Sequence, residues 1–413
     1  MKNSLLRFLL SFLLLFAIAT TDALAQASTQ SHGSFDFNTD GVVFQSADSA
    51  TRVVMRFRMQ NWAIYTTKTM NEEDDLDLSA GSTEFAVRRL RLRFGGSLVD
   101  PRLSFNLQLS FSRSDMDWAD TQFPNIIRDA MIFWNFNKDL QVGFGQTKLP
   151  GNRQRVISSA DLEIADRSIV NGAFNLDRDF GFQAFWRPVT GDQIVNLRAA
   201  VSSGDGRNQP AIIGGGLAYT ARVEYLPFGA FTNGGDYFEG DIVREQSPKL
   251  SIGLSAQHNE NQTKTRGTLG KALYQQRTAN VIYGDVLFKY SGLALYGEYA
   301  QRTSGNPITY KDTTKKDYAA IFVGSGYMMQ ASYIFPSMWS IATRYAVVQA
   351  GDQLKGLAEY QQQVNIGANV GYYINKHRIK TNLEFGTNRT TLYNSNNAVQ
   401  VNYYTRLNVE LGI

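Results

Sequence analysis

From about residue 51 to the end of the chain, apolar and polar residues alternate with a period of two, and this pattern excludes most folds. Between Arg102 and Ser112 the odd positions Leu103, Phe105, Leu107, Leu109 and Phe111 are apolar, with Ser104, Asn106, Gln108 and Ser110 between them. Successive side chains of a strand point to opposite faces, so such a segment separates an oily medium from water. Its length matches the roughly 9 to 11 tilted residues that carry a strand across a bilayer. The pattern returns where Tyr219, Ala221, Val223 and Tyr225 alternate with Thr220, Arg222 and Glu224, and again in 364–372, 379–385 and 401–411.

Sixteen such segments are expected, beginning near residues 52, 84, 102, 128, 140, 178, 194, 217, 249, 280, 293, 318, 339, 362, 378 and 399. Tight turns (Val99-Asp100-Pro101, Asn137-Lys138-Asp139, Ser291-Gly292, Ile374-Asn375-Lys376) alternate with longer polar connections at 66–83, 113–127, 149–177, 203–216, 258–279, 303–317, 349–361 and 388–398. The segment 227–248 is long but falls on the short-turn side. The expected fold is therefore all-β: a 16-stranded antiparallel transmembrane β-barrel with long external loops and mostly short periplasmic turns. A soluble sandwich also alternates, yet it rarely needs sixteen strands in one unit. Trp62, Trp134, Trp186, Trp339, Tyr372 and Tyr403 at strand ends are expected to form the interfacial girdles.

The N-terminus agrees with export. Lys2 and Arg7 precede an apolar run from Phe8 to Ala19, and Ala23-Leu24-Ala25 supplies a small-x-small cleavage site before Gln26. Residues 1–25 are thus expected to be a signal peptide, 26–50 a periplasmic lead segment and 51–413 the barrel. No other stretch has the length of a membrane-spanning helix. The chain has no cysteine, which rules out disulfides and thiolate metal sites, and only three histidines, His32, His258 and His377. No metal or cofactor is expected, and no Ser/His/acid constellation can be assembled. Gly143 to Lys148 superficially resembles a phosphate-binding loop, but Leu149-Pro150-Gly151 stands where the helix would begin.

Net charge is only +4, but the arginines are concentrated. The first strand contains Arg56 and Arg58; the second reads Arg88-Arg89-Leu90-Arg91-Leu92-Arg93-Phe94. Leu90, Leu92 and Phe94 share one face, and Arg89, Arg91 and Arg93 share the other. An arginine facing lipid at mid-membrane costs about 2 to 4 kcal/mol, so the arginines are expected to face the lumen. Sequential pairing then sets Arg56 and Arg58 beside Arg89 and Arg91, as one cationic strip. Two readings stay open: a path for anions, or braces paired with luminal acids. The candidate acids Asp129, Asp179, Glu224, Asp285, Glu298, Glu384 and Glu410 fall mostly on later strands, so local neutralisation is expected to be incomplete. The acidic run Glu72 to Asp77 is either a solvated loop or a site for a divalent cation or bridged lipopolysaccharide.

Three stretches resemble the phosphate-selective porin O and P family. They are Val87 to Gly96, Val142 to Gly151, and Asp166-Arg167-Ser168-Ile169-Val170-Asn171 leading to Asp177-Arg178-Asp179-Phe180-Gly181. The long turn fits too, through Tyr225 to Gly229 and Asp236 to Asp241. Where the family has Glu-Arg this chain has Asp166-Arg167, and its last residue, Ile413, is not aromatic. The resemblance implies a trimer of sixteen-stranded barrels whose loop 149–177 folds inward to narrow the pore. It also implies anion selection by Arg56 or Arg58, by Arg88, Arg89 and Arg91, by Asp129, and by Lys148, Arg153 and Arg155. The expected function is passive diffusion of anions, phosphate or a phosphorylated solute foremost. A general porin and a barrel-embedded hydrolase are the alternatives. Expected partners are small anions, outer-membrane lipid, lipopolysaccharide and further copies of the chain, not nucleic acid.

Overall fold

The structure is a computed structural model, and it describes residues 33–38, 41–69, 78–116, 125–209 and 215–413. The expected signal peptide and the acidic run 72–77 lie outside the described residues. Sixteen antiparallel strands form the barrel: β1 (Arg52–Thr69), β2 (Ser82–Leu98), β3 (Asp100–Ser110), β4 (Ile127–Asn135), β5 (Leu140–Lys148), β6 (Arg178–Val189), β7 (Ile194–Ser202), β8 (Ala218–Leu226), β9 (Lys249–Arg266), β10 (Leu269–Tyr290), β11 (Leu293–Thr303), β12 (Gly324–Ile334), β13 (Trp339–Ala350), β14 (Gln361–Asn375), β15 (Ile379–Leu392) and β16 (Ala398–Gly412). Each pairs with its neighbours in sequence. β16 closes the ring on β1, with Asn408 opposite Trp62 and Gly412 opposite Arg58. Closure leaves no free edge in the barrel wall, the condition for a sheet to sit in hydrocarbon.

The alternation read from the sequence sets the two faces. Along β8, Ala218, Thr220, Arg222, Glu224 and Leu226 are buried, while Tyr219, Val223 and Tyr225 point outward and are exposed. On β16, Leu407, Val409 and Leu411 are exposed, and Asn408 and Glu410 are buried inside. Trp134, Trp186 and Trp339 are exposed as a girdle requires. Trp62 is not part of it: the ring is buried inside the wall, donates to Asn408 Oδ1 at 2.9 Å, and lies under the guanidinium groups of Arg88 and Arg406.

Turns at one end are short. Val99 alone joins β2 to β3, and Ser291-Gly292 joins β10 to β11 with positive φ at both residues, as a two-residue hairpin of matching twist requires. Three expectations at the other end are corrected. Residues 258–279 are not a loop, because β9 and β10 continue to Arg266 and from Leu269 and turn at Gly267-Thr268. Tyr318–Ala320 belongs not to the barrel but to a separate pair with Ile308–Tyr310, so β12 starts at Gly324. There Ala320, Ile321, Val323 and Leu354 form a small apolar core of their own. Residues 388–398 are mostly strand rather than loop. The expected lead segment also joins the sheet. Ser34–Asn38 and Gly41–Gln45 form a hairpin whose second strand pairs with β1 at Arg52 to Met55, below the end of β16.

The segment 149–177, between β5 and β6, lies within the ring. It carries two short helices, α1 (Arg153–Val156) and α2 (Ile169–Phe174), the latter capped by Ser168, whose Oγ accepts from Asn171 N at 3.2 Å. Val170 and Phe174 pack against Tyr283, Tyr296, Met328 and Ala346 on the inner faces of β10 to β13. Lys380 on β15 donates to the carbonyls of Ala160 and Leu162, both at 2.7 Å. From the short-turn end, 227–248 reaches the same segment: Glu239 accepts from Gln154 Nε2 at 2.9 Å and from Glu163 N at 3.0 Å. The lumen is thus filled from both sides along β8 to β13 and opens toward β1 to β5.

Candidate functional site

Two β-bulges build the charged wall. A bulge inserts one extra residue and re-aims the side chains beside it. On β2, Gln60 pairs with Arg89 and Asn61 with Val87, which leaves Arg88 as the extra residue. Strict alternation would turn Arg88 outward with Leu90. The bulge instead brings Arg88 and Arg89 to one carboxylate, at 3.3 Å from Asp166 Oδ2 and 2.9 Å from Asp166 Oδ1. It also reverses the faces beyond it, so Phe85 and Val87 are exposed. The second bulge lies on β4, where Gln108 pairs with Asp129 and Leu109 with Ile127. Arg128 is the extra residue, and Arg128 and Asp129 are both buried.

These strands, the inner segment and the tip of the β9–β10 hairpin enclose a cavity of about 400 Å³. Ten basic side chains and three aspartates line it. Arg91 donates through Nε to Asp115 Oδ2 at 2.9 Å and through Nη1 to Ser159 Oγ at 3.1 Å. Arg128 lies 3.2 Å from the other oxygen of Asp115. Arg178 holds Asp129 with two bonds of 2.9 Å, and Thr147 donates to the same carboxylate at 2.8 Å. Arg155 pairs with Asp177. The Nε–H groups of Arg89, Arg128 and Arg155 are buried with no protein acceptor, so donors exceed acceptors in this wall.

The other residues singled out from the sequence divide. Arg58 donates to Glu410 and to the carbonyl of Ser159 at 2.8 Å. Arg56 and Arg93 pair across β1 and β2 and are exposed below the cluster, Arg93 donating to Asn106 at 2.8 Å. Lys148 lines the cavity and donates to the carbonyls of Val156 and Ile157, at 3.0 and 3.1 Å, which ends α1. Arg153 is elsewhere. It is fully buried against β9 and β10, donating to Asp285 Oδ1 and Ser251 Oγ at 2.6 Å and to the carbonyl of Asp236 at 2.7 Å.

Arg128, Arg167, Arg178 and Arg207 are not among the residues singled out from the sequence, nor are Asp115, which pairs with Arg91 and Arg128, and Asp166, which pairs with Arg88 and Arg89. The doublets Arg88-Arg89 and Arg128-Asp129 were the available signal, because adjacent charges inside an alternating strand imply a bulge or an arginine in lipid. The expectation that neutralising acids lie on remote strands is corrected. Asp115 and Asp166 come from loops, and Glu410 comes from β16, which closure places beside β1.

Burial alone would raise the Asp166 carboxyl, but Arg89 and Arg88 hold it well below the usual carboxylate range. Asp115 is treated alike: burial opposes ionisation, and Arg91 and Arg128 outweigh it. Asp161, in the inner segment, differs. Burial pushes it up to about 6, with Lys380 and Arg58 resisting. Among the described residues no cluster of three or more histidines and carboxylates gathers as a metal would require.

A family model described as "Phosphate-selective porin O and P" matches residues 69–411. Solved structures of similar fold include the outer membrane channel DcaP of Acinetobacter baumannii, at 13% identity over 87% of this chain and 97% of that one, with a TM-score of 0.52. An anion-selective porin from Comamonas acidovorans is similar at 13% identity over 87% and 99%, also with a TM-score of 0.52. OmpF of Salmonella typhi, in complex with daunomycin, gives 13% identity over 89% and 99%, with a TM-score of 0.51. No curated protein matches the sequence significantly.

Proposed function

Because the chain belongs to the phosphate-selective porin O and P family, and is therefore an outer-membrane channel without enzymatic activity, we propose that it passes anions in preference to cations, with phosphate and related oxyanions as the leading solutes. One observation carries this reading: ten basic side chains and three carboxylates line a single cavity beside β1 to β5, and Asp129, behind Arg178, is a fourth acid, which leaves the basic groups in excess. A cation is repelled there. An anion meets several forked guanidinium donors, each weak enough to leave, as conduction demands. The segment 149–177 is the constriction in this reading. Arg88, Arg89, Arg91, Arg128, Lys148 and Arg155 act at it, and Arg56, Arg58 and Arg93 follow on the short-turn side. Arg153 is excluded, since its donors are spent on buried acceptors.

The ion pairs with Asp115, Asp166, Asp177 and Glu410 favour a second reading, a general porin with a braced wall. Reversal potential across a planar bilayer in a chloride gradient separates the two. Anion preference is expected, and phosphate should block the chloride current. The double variant Arg89→Ala, Arg91→Ala should lose much of both; unchanged selectivity would reduce the arginines to braces. Assembly as a homotrimer is proposed from the family resemblance, and cross-linking of the detergent-solubilised protein tests it.

A further inference from the structure

Below the arginine cluster, at the short-turn end, lies a second cavity of about 500 Å³ with a different lining. The first two strands contribute Arg56 and Arg93 to it, and β10 contributes Lys289. The long turn 227–248 contributes Phe238, Ile242 and Val243. Lys289 is fixed by donating to the carbonyls of Gly235 and Gly240, both at 2.7 Å, which ties cation and apolar surface into one structure. In the upper cavity, by contrast, only Leu269 offers an apolar side chain.

His377, in the turn between β14 and β15, also lines the lower cavity. Its ring stacks on Phe238 at 5.0 Å and 17° and meets Tyr373 edge-on at 5.4 Å. It is 8% exposed, and neither ring nitrogen has a protein partner. Burial, with Lys380 and Lys289 nearby, pushes its pKa well down, so the ring is neutral and keeps one N–H to donate. Both nitrogens are shielded from solvent, so the neutral ring adds aromatic surface beside Phe238 at the edge of the cavity.

We propose that this vestibule is a binding site for amphipathic organic anions, an aryl or branched alkyl group carrying a phosphate or carboxylate. The anionic end lies toward the exposed Arg56 and Arg93, and the apolar end lies against Phe238 and Val243, on the turn that Lys289 holds in place. The site rests on the anion-channel reading but adds a solute class that the polar upper cavity does not distinguish. The acids at its lining, Asp161 and Glu410, are outnumbered by seven basic side chains, and Glu410 is already paired with Arg58.

Phenyl phosphate and inorganic phosphate, each added to the periplasmic side of a planar bilayer, provide the test. Phenyl phosphate should halve the chloride current at a concentration about tenfold lower than inorganic phosphate, from burial of its ring. Phe238→Ala, and independently Val243→Thr at an exposed position where folding is not at risk, should raise that concentration by about three- to tenfold. Block by inorganic phosphate should move less than about twofold in both. Equal block by the two anions, or block unchanged in both variants, overturns the vestibule site alone. A channel with no anion preference overturns it together with the reading on which it rests.

Discussion

The two halves of the lumen use the same residue to opposite ends. Along β8 to β10, the fully buried Arg153 and Arg222 are matched by the fully buried Asp285 and Glu224, each within 3.6 Å of an opposite charge, and the less buried Arg198 of β7 joins at Glu224. Along β1 to β5, guanidinium groups outnumber carboxylates around a cavity that holds space for a solute. A matched, buried set has no charge left for a passing ion and acts as a structural tie. A surplus set keeps a field that only a mobile anion can neutralise. Stoichiometry and burial, not the number of arginines, separate scaffold from pore.

Breaking the matched half should have the largest effect, and on stability. Asp285→Ala leaves Arg153 and Arg222 short of a buried partner, which should cost about 3 to 5 kcal/mol. Unfolding followed by heat-modifiable gel mobility would register it, with selectivity unchanged in protein that still folds. Arg128→Ala, in the surplus half, should do the reverse. Losing one charge-assisted donor is worth about 1.5 to 3 kcal/mol, so phosphate block should weaken about tenfold or more while the melting profile stays near that of the parent. If it unfolds the barrel instead, the two halves are alike and the comparison fails.

Removing an acid from the surplus half should sharpen it. Asp115→Asn keeps a polar group beside Arg91 and Arg128 but deletes the charge, so the reversal potential should shift further toward the anion limit. A shift toward cations would contradict a field-controlled pore. The smallest effect expected is on pH dependence. Asp161 takes up a proton as pH falls through about 6, which removes one negative charge from the vestibule lining. Anion preference should therefore rise modestly between pH 7 and pH 5, and Asp161→Asn should flatten that change.

Strand placement was legible because side-chain alternation is local: β1, β5, β6, β7, β9, β11 and β13 begin where the pattern begins. The inward row Arg89, Arg91 and Arg93 followed from the cost of a guanidinium in lipid. The start of β10 was hidden because residues 269–278 are exposed or half-buried on both faces, so nothing there forces one face to be apolar. Tyr318–Ala320 misled because an apolar run can serve a small loop core as well as a barrel wall. Trp62 misled likewise, since its indole is buried by two arginines rather than by headgroups.

The sequence by itself determined a closed sixteen-stranded wall, its two faces and the sign of the charge on the opening strands. Only the tertiary structure decided which arginines are cancelled. Asp166 meets Arg88 and Arg89 from 77 or more positions away, and Glu410 meets Arg58 from 352. A period of two records what each strand needs from lipid and water. It carries no record of where an infolded segment sets its carboxylates, because those positions are fixed by packing across the lumen and not by any local repeat.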